Sequence, residues 1–184
     1  MRHNTFRDSE DSGACDSAES LAMQRIPFDL DAYAQRVQSE ACFICGIVAA
    51  EDEWHQVIAE NDDNIAFLSK YPTLLGHVLV APKIHREHVV RDLAEDAYLQ
   101  LMTLVYRVAR AVEAVLPVER TYLLTLGSQQ GNSHVHWHVA PLPPGVPYRE
   151  QQFHALMAEN GILPWTPEQA ETLAERLRTA LRSR

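Results

Sequence analysis

The sequence predicts an α+β fold. Five short strands form a mostly antiparallel sheet, one long central helix separates the third strand from the fourth, and further helices follow at the C-terminal end. Two observations carry this. Five β-prone runs of four to eight residues are bounded by turn residues or proline. Between the third and fourth of them, Ala97, Leu101, Leu104, Val108, Val112 and Val115 recur at helical spacing until Pro117.

The elements follow in order. Residues 1–20 are acidic and serine-rich with almost nothing to bury, so they are expected to be a disordered tail. Residues 21–39 form a lead-in with a short helix around 29–38. Strands are expected at 54–60, 64–69, 76–81, 121–126 and 134–140, with Asn61, Asp62 and Asp63 making a turn and Pro82 ending the third. Asp92 with Glu95 three residues on reads as a capping box opening the long helix. Beyond residue 147, a helix over 150–160 should close at Gly161. Thr166, Pro167 and Gln169 make a second capping box, and Leu173, Leu177 and Leu181 form the stripe that follows. The expected organisation is therefore a tail, a lead-in, one domain over 40–147, and a helical extension over 148–184.

The 184 residues suffice for one domain and not for two ordinary ones. A net charge of −9 argues against a broad basic face for nucleic acid, while a few local donors can still hold a small anion. No apolar run approaches the roughly 20 residues of a membrane helix. The first residues resemble neither a signal nor a transit peptide, which makes the cytoplasm the expected compartment. Of three cysteines, Cys42 and Cys45 stand two residues apart, and Cys15 lies in the tail. In a reducing compartment that spacing suits half a zinc site, a redox pair, or two buried small apolar groups.

The most informative stretch is His134-Val135-His136-Trp137-His138-Val139. On a strand the three histidines share one face, about 7 Å apart at alternate positions. Val135, Trp137 and Val139 then point into a core, which fixes the register. One such histidine is usually a satisfied polar residue. Three in alternation must each be solvated or paired, and they repel one another when protonated. A zinc ion shared by the histidines themselves is an alternative reading.

This stretch resembles the His-φ-His-φ-His-φ-φ signature of the histidine triad (HIT) superfamily, φ being apolar. Further resemblance lies in Cys42-Phe43-Ile44-Cys45, in Ala66-Phe67-Leu68-Ser69, and in the run from Gly76 through Pro82 and Lys83 to His85. It spans about residues 40–147. The resemblance implies a homodimer and a purine nucleotide substrate attacked at its α-phosphate. His136 would be the nucleophile, with His138 and His77 assisting. Ser69, Gln129, Gln130, Gly131, Ser133 and His138 would contact nucleotide or phosphate. Relatives usually carry Asp or Asn where Ser69 stands, so ribose contact should be weaker here or come from elsewhere. A zinc-bearing branch of the superfamily implies a structural Zn2+ held by Cys42, Cys45, His85 and His134, with His88 as a substitute ligand. The activity expected is hydrolysis of a dinucleoside polyphosphate or nucleoside phosphoramidate through a nucleotidyl-histidine intermediate. Transfer or phosphorolysis by the same route, or nucleotide binding with little turnover, are the alternatives. Imidazole suits the chemistry because much of it is neutral near pH 7.

Overall fold

A computed structural model describes residues 24–52 and 54–183. The predicted disordered tail and Cys15 lie outside the described residues. In chain order the elements are α1 (Leu30–Ser39), α2 (Phe43–Val48), β1 (Val57–Glu60), β2 (Asn64–Leu68), β3 (Val78–Pro82), α3 (Val89–Asp92), α4 (Glu95–Val115), β4 (Arg120–Thr125), β5 (Trp137–Leu142), α5 (Phe153–Leu156) and α6 (Pro167–Arg182). The five strands form one antiparallel sheet in the order β1-β2-β3-β5-β4. The fold class is the one expected.

Alternation along the strands divides the core in two. Ala66, Leu68, Val78, Val80, Trp137 and Val139 face α4 and α6 and meet Leu101, Val105, Val108, Val112, Leu173 and Leu177 there. Ile65, Phe67, Leu79 and Ala81 face the other way, against Ile44 and Ile47 of α2. Both faces of β2 and β3 are therefore covered, which explains why these strands read as continuous apolar runs.

The helices differ from expectation in two places. Asp92 does not cap α4, whose N-cap is Ala94 with no side-chain bond. Its carboxylate instead accepts from the Glu87 and His88 amides and closes the turn before α3. The single helix expected over 150–160 is broken into two 3-10 turns flanking α5, although Gly161 ends it at φ +91° as anticipated. The leucine stripe of α6 packs as its spacing implies, with Ala170, Leu173, Ala174 and Leu177 inside the main core. Its capping box forms as read, with Gln169 N donating to Thr166 Oγ1 at 3.3 Å and Thr166 N donating to Gln169 Oε1 at 2.9 Å.

Leu177 is fully buried between α4 and the sheet. Leu177→Ala should cost about 2–5 kcal/mol by cavity formation, and Thr166→Ala about 1 kcal/mol by loss of the cap. Urea unfolding of both variants measures this; equal losses would mean that α6 contributes its cap and little packing.

Candidate active site

Two neighbouring arrays of ring and thiol groups meet on the α2 side of the sheet. The first is the triad. Regular pairing of β5 begins only at Trp137, so His138 alone of the three lies within the strand, while His134 and His136 sit on the irregular approach to it. The alternation survives nonetheless. Val135, Trp137 and Val139 enter the α4 core, and Tyr98 meets Trp137 edge-on at 5.8 Å. His134, His136 and His138 all line a cavity of about 560 Å3 on the opposite side.

His136 is almost fully buried, and its Nδ1 lies 2.7 Å from the His134 carbonyl. A carbonyl only accepts, so Nδ1 carries the proton and Nε2 keeps its lone pair. Among the described residues Nε2 has no hydrogen-bond partner, and it is not sealed from solvent. Phe43 packs edge-on against the ring at 6.3 Å.

His77 stands just after Gly76, on the approach to β3. Its Nε2 lies 2.9 Å from His138 Nδ1, so one of the pair donates to the other. Their outer nitrogens, His77 Nδ1 and His138 Nε2, are buried and have no partner. In either tautomer one outer nitrogen is an unused N–H donor, a costly arrangement unless a ligand accepts from it. Burial holds the whole group uncharged. It pulls His136 below its ordinary value, against the opposing effect of the His134 carbonyl. Burial, then the neighbouring His136, takes His77 to about 4. Burial, then His77 and His136, takes His138 to about 2.

The second array is Cys42, Cys45, His85 and His134. Their donor atoms all lie within 4.8 Å of one another. Cys42 Sγ and Cys45 Sγ lie 3.4 and 3.7 Å from His134 Nδ1, and Cys45 Sγ is 3.4 Å from His85 Nδ1. Tetrahedral zinc with ordinary bond lengths separates sulfur from nitrogen by about 3.5 Å, so the spacing fits. His134 Nε2 donates to the Pro82 carbonyl at 2.9 Å, which leaves Nδ1 unprotonated and turned to the thiols. Without a cation, burial and the Cys42 thiol push Cys45 up to about 11. His88 stands outside this group and meets Arg91 and Gln129 instead.

The residues expected at the nucleotide divide. Ser69, Ser133, His77 and His138 line the cavity. Gln129, Gln130 and Gly131 border a separate shallow hollow. There Ser128 and Gly131 exchange backbone hydrogen bonds at 3.1 Å, making a tight turn with the glutamines at its tip. Gln129 Nε2 donates to Glu87 Oε2 at 3.4 Å. Gly127, at φ +106°, has no room for a Cβ, which would lie 2.4 Å from the Asn132 carbonyl oxygen.

Sequence reasoning missed Tyr33 and Arg36 of α1, Phe43 of α2, and His55 and Tyr71, all of which line the cavity. The aromatic content of the lead-in was the available signal, but nothing local says where α1 docks.

A five-stranded antiparallel sheet bearing an uncharged histidine triad beside a Cys2His2 group defines the class. The HIT domain model matches residues 51–144, half of the chain, and the chain belongs to the HIT family. The adenosine 5'-monophosphoramidase of Schizosaccharomyces pombe is 27% identical over 144 residues, 77% of this chain and 99% of that protein. A hypothetical histidine triad nucleotide-binding protein of Sulfolobus tokodaii superposes with a TM-score of 0.63 at 27% identity, covering 77% of this chain and 93% of that one. A zinc-bound histidine triad family protein of Mycobacterium smegmatis has the same fold, with a TM-score of 0.62 at 23% identity over 78% of this chain and 94% of that one.

His77 has a native value lowered from 6.5 to about 4, so folding favours its neutral form. The stability this represents is present above pH 6.5 and is lost as pH falls toward 4. The loss should reach roughly 3 kcal/mol. A His77→Gln variant should show a shallower decline over that window in denaturant titrations. Parallel pH slopes for variant and wild type would disprove this source of acid sensitivity.

Proposed function

We propose that the protein is a nucleotide hydrolase that works at an α-phosphorus through a nucleotidyl-histidine intermediate on His136. The observation that carries the reading is the state of that ring. Nδ1 is committed to a carbonyl, the ring is held uncharged, and Nε2 opens on a cavity of about 560 Å3, within the size range of nucleotide pockets. The Schizosaccharomyces pombe phosphoramidase relative supports a nucleotide as the substrate and hydrolysis as the reaction.

In the first step the Nε2 lone pair attacks phosphorus, and the bond to the leaving group breaks with its electron pair. The unpaired N–H of the His77–His138 pair donates to a phosphate oxygen as charge builds there, which offsets the cost of its burial. In the second step water adds to phosphorus and the P–Nε2 bond breaks. Its electron pair returns to the imidazole, and nucleoside monophosphate and a proton are released. Replacing water by another acceptor gives transfer or phosphorolysis by the same route. Ser69 and Ser133 are the hydroxyls of the expected set that reach this cavity.

Zn2+ bound by Cys42, Cys45, His85 and His134 supports the site without entering the reaction. Four protein ligands close its shell, so the chemistry it supplies is structural. It would tie α2 to the triad segment two residues from His136. The donor spacing above and the zinc-bound Mycobacterium smegmatis neighbour support this. A homodimer also fits. β4 is an edge strand, and Leu123, Leu126 and Tyr106 leave half or more of their surface exposed.

Incubation with nucleotide labelled at the α-phosphate, followed by an alkaline quench, should trap an acid-labile adduct on the wild type. His136→Asn should form no adduct and lose turnover on the order of a thousandfold or more, yet still bind nucleotide. Turnover by that variant at the wild-type rate would end the proposal. Elemental analysis should find one zinc per chain in wild type and little in Cys42→Ser, with a lower melting temperature; equal zinc in both would remove the metal from these four residues.

A further inference from the structure

Helix α1 lies outside the residues matched by the family model, yet it walls the cavity that holds His136. It is docked against the loop before the triad. Val37 Cγ2 stands 2.9 Å from where a Cβ on Gly131 would be, and Asn132 Nδ2 donates to the Tyr33 hydroxyl at 3.0 Å. Tyr33 and Tyr71, the latter from the β2–β3 connection, meet edge-on at 5.9 Å, and Phe28 packs against both rings at 5.4 and 5.1 Å. The Arg36 guanidinium rests on this aromatic group, 5.2 Å from the Tyr33 centroid and 5.3 Å from that of Tyr71.

Arg36 is thus a half-buried, pre-positioned cation. Among the described residues no carboxylate lies within 4.0 Å of it, Glu40 one turn on included. The other acids at the cavity are engaged. Asp52 accepts from the Trp54 and His55 amides and pairs with the His55 ring, and Glu87 pairs with His85 and Gln129. Lys70 is turned to Trp54, 5.6 Å from its centroid. Ring faces fix a guanidinium in place while leaving its edge N–H groups unused, and that edge matches two phosphate oxygens.

We propose that Arg36, seated on Tyr33 and Tyr71, binds a negatively charged leaving group. The substrate class is then a nucleotide joined through its α-phosphate to further phosphate, such as a dinucleoside polyphosphate, in preference to a nucleotide joined to an amine. This rests on the His136 reading for which phosphorus is attacked. The phosphates beyond the α-phosphorus are charged in the bound substrate and still charged when they depart with the electron pair of the P–O bond, so the guanidinium holds them in both states. An amine carries no negative charge for Arg36 to hold.

The test compares diadenosine triphosphate with adenosine 5'-phosphoramidate as substrates for wild type and Arg36→Gln. The variant should lose about 10- to 100-fold in kcat/KM on the first, the range of a hydrogen bond to a charged group, mainly through KM. On the second it should stay within about twofold of wild type, which also serves as the folding control. Equal losses on both substrates would reduce α1 to a support for the loop, and no loss on either would remove Arg36 from binding; both overturn the proposal. If wild type turns over neither substrate, the His136 reading fails and binding decides the subsite. Calorimetric titration should then give a Kd for diadenosine triphosphate weakened tenfold or more by Arg36→Gln, with that for AMP unchanged. Equal Kd values for diadenosine triphosphate in the two proteins would overturn the proposal.

Discussion

The site depends on the pairing of β5 with β3. Leu79 stands opposite His138, and Val78 and Val80 stand opposite Val139 and Trp137. Side chains alternate across a strand, so this register sends Trp137 and Val139 into the α4 core and His138 to the cavity in one operation. The approach to β5 keeps the same alternation, with Val135 in that core and His136 at the cavity. A slip by one residue would bury imidazoles among Leu101, Val105 and Val108 and turn a tryptophan outward. The packing energy of the α4 face therefore holds the chemistry in position.

Burial then sets the chemical state of the rings. A protonated imidazole on the dry side of the sheet would lose its hydration and face two others, so all of them stay uncharged. Backbone carbonyls do the rest. The His134 carbonyl takes the Nδ1 proton of His136, and the Pro82 carbonyl takes the Nε2 proton of His134. Two residues apart, the chain presents opposite nitrogens of the same side-chain type, Nε2 of His136 to the cavity and Nδ1 of His134 to the thiols. The remaining pair, His77 and His138, spends one hydrogen bond on itself and leaves its outer nitrogens buried without partners. Such unsatisfied groups are tolerated where a ligand completes them.

The N-terminal third of the described chain closes the site from outside the sheet. Cys42 and Cys45 sit at the start of α2, which is anchored by Ile44 and Ile47 against β2 and β3. Helix α1 buries no residue fully and is held by the aromatic group of Phe28, Tyr33 and Tyr71 and by contacts to loop 127–133. Its position is thus coupled to that loop, which enters the triad directly.

Much of this was legible in the amino-acid order because it rests on period. Short apolar runs bounded by turn residues or proline marked β2 and β3, period-two alternation marked the apolar half of the triad segment, period 3.6 marked α4, and Thr166 with Gln169 marked the start of α6. Local polarity could not decide competing partners. Asp92 had a capping box available and instead closed the turn before α3, and the 150–160 segment broke at Gln152, at φ +55°, and at Met157, either side of the α5 turn whose Ala155 packs with Leu74, Ala140 and Leu142. Gln129 and Gln130 had suitable side chains, but the tight turn at Ser128 and Gly131 carried them to its tip, where they border a separate hollow. The sequence by itself determined the strands, which side chains of the triad segment share a face, and the identity of the chemical groups, since periodicity is a local property of the chain. Only the tertiary structure decided which groups share a cavity, which ring nitrogen is bare and where Arg36 rests, because those follow from contacts between residues tens of positions apart.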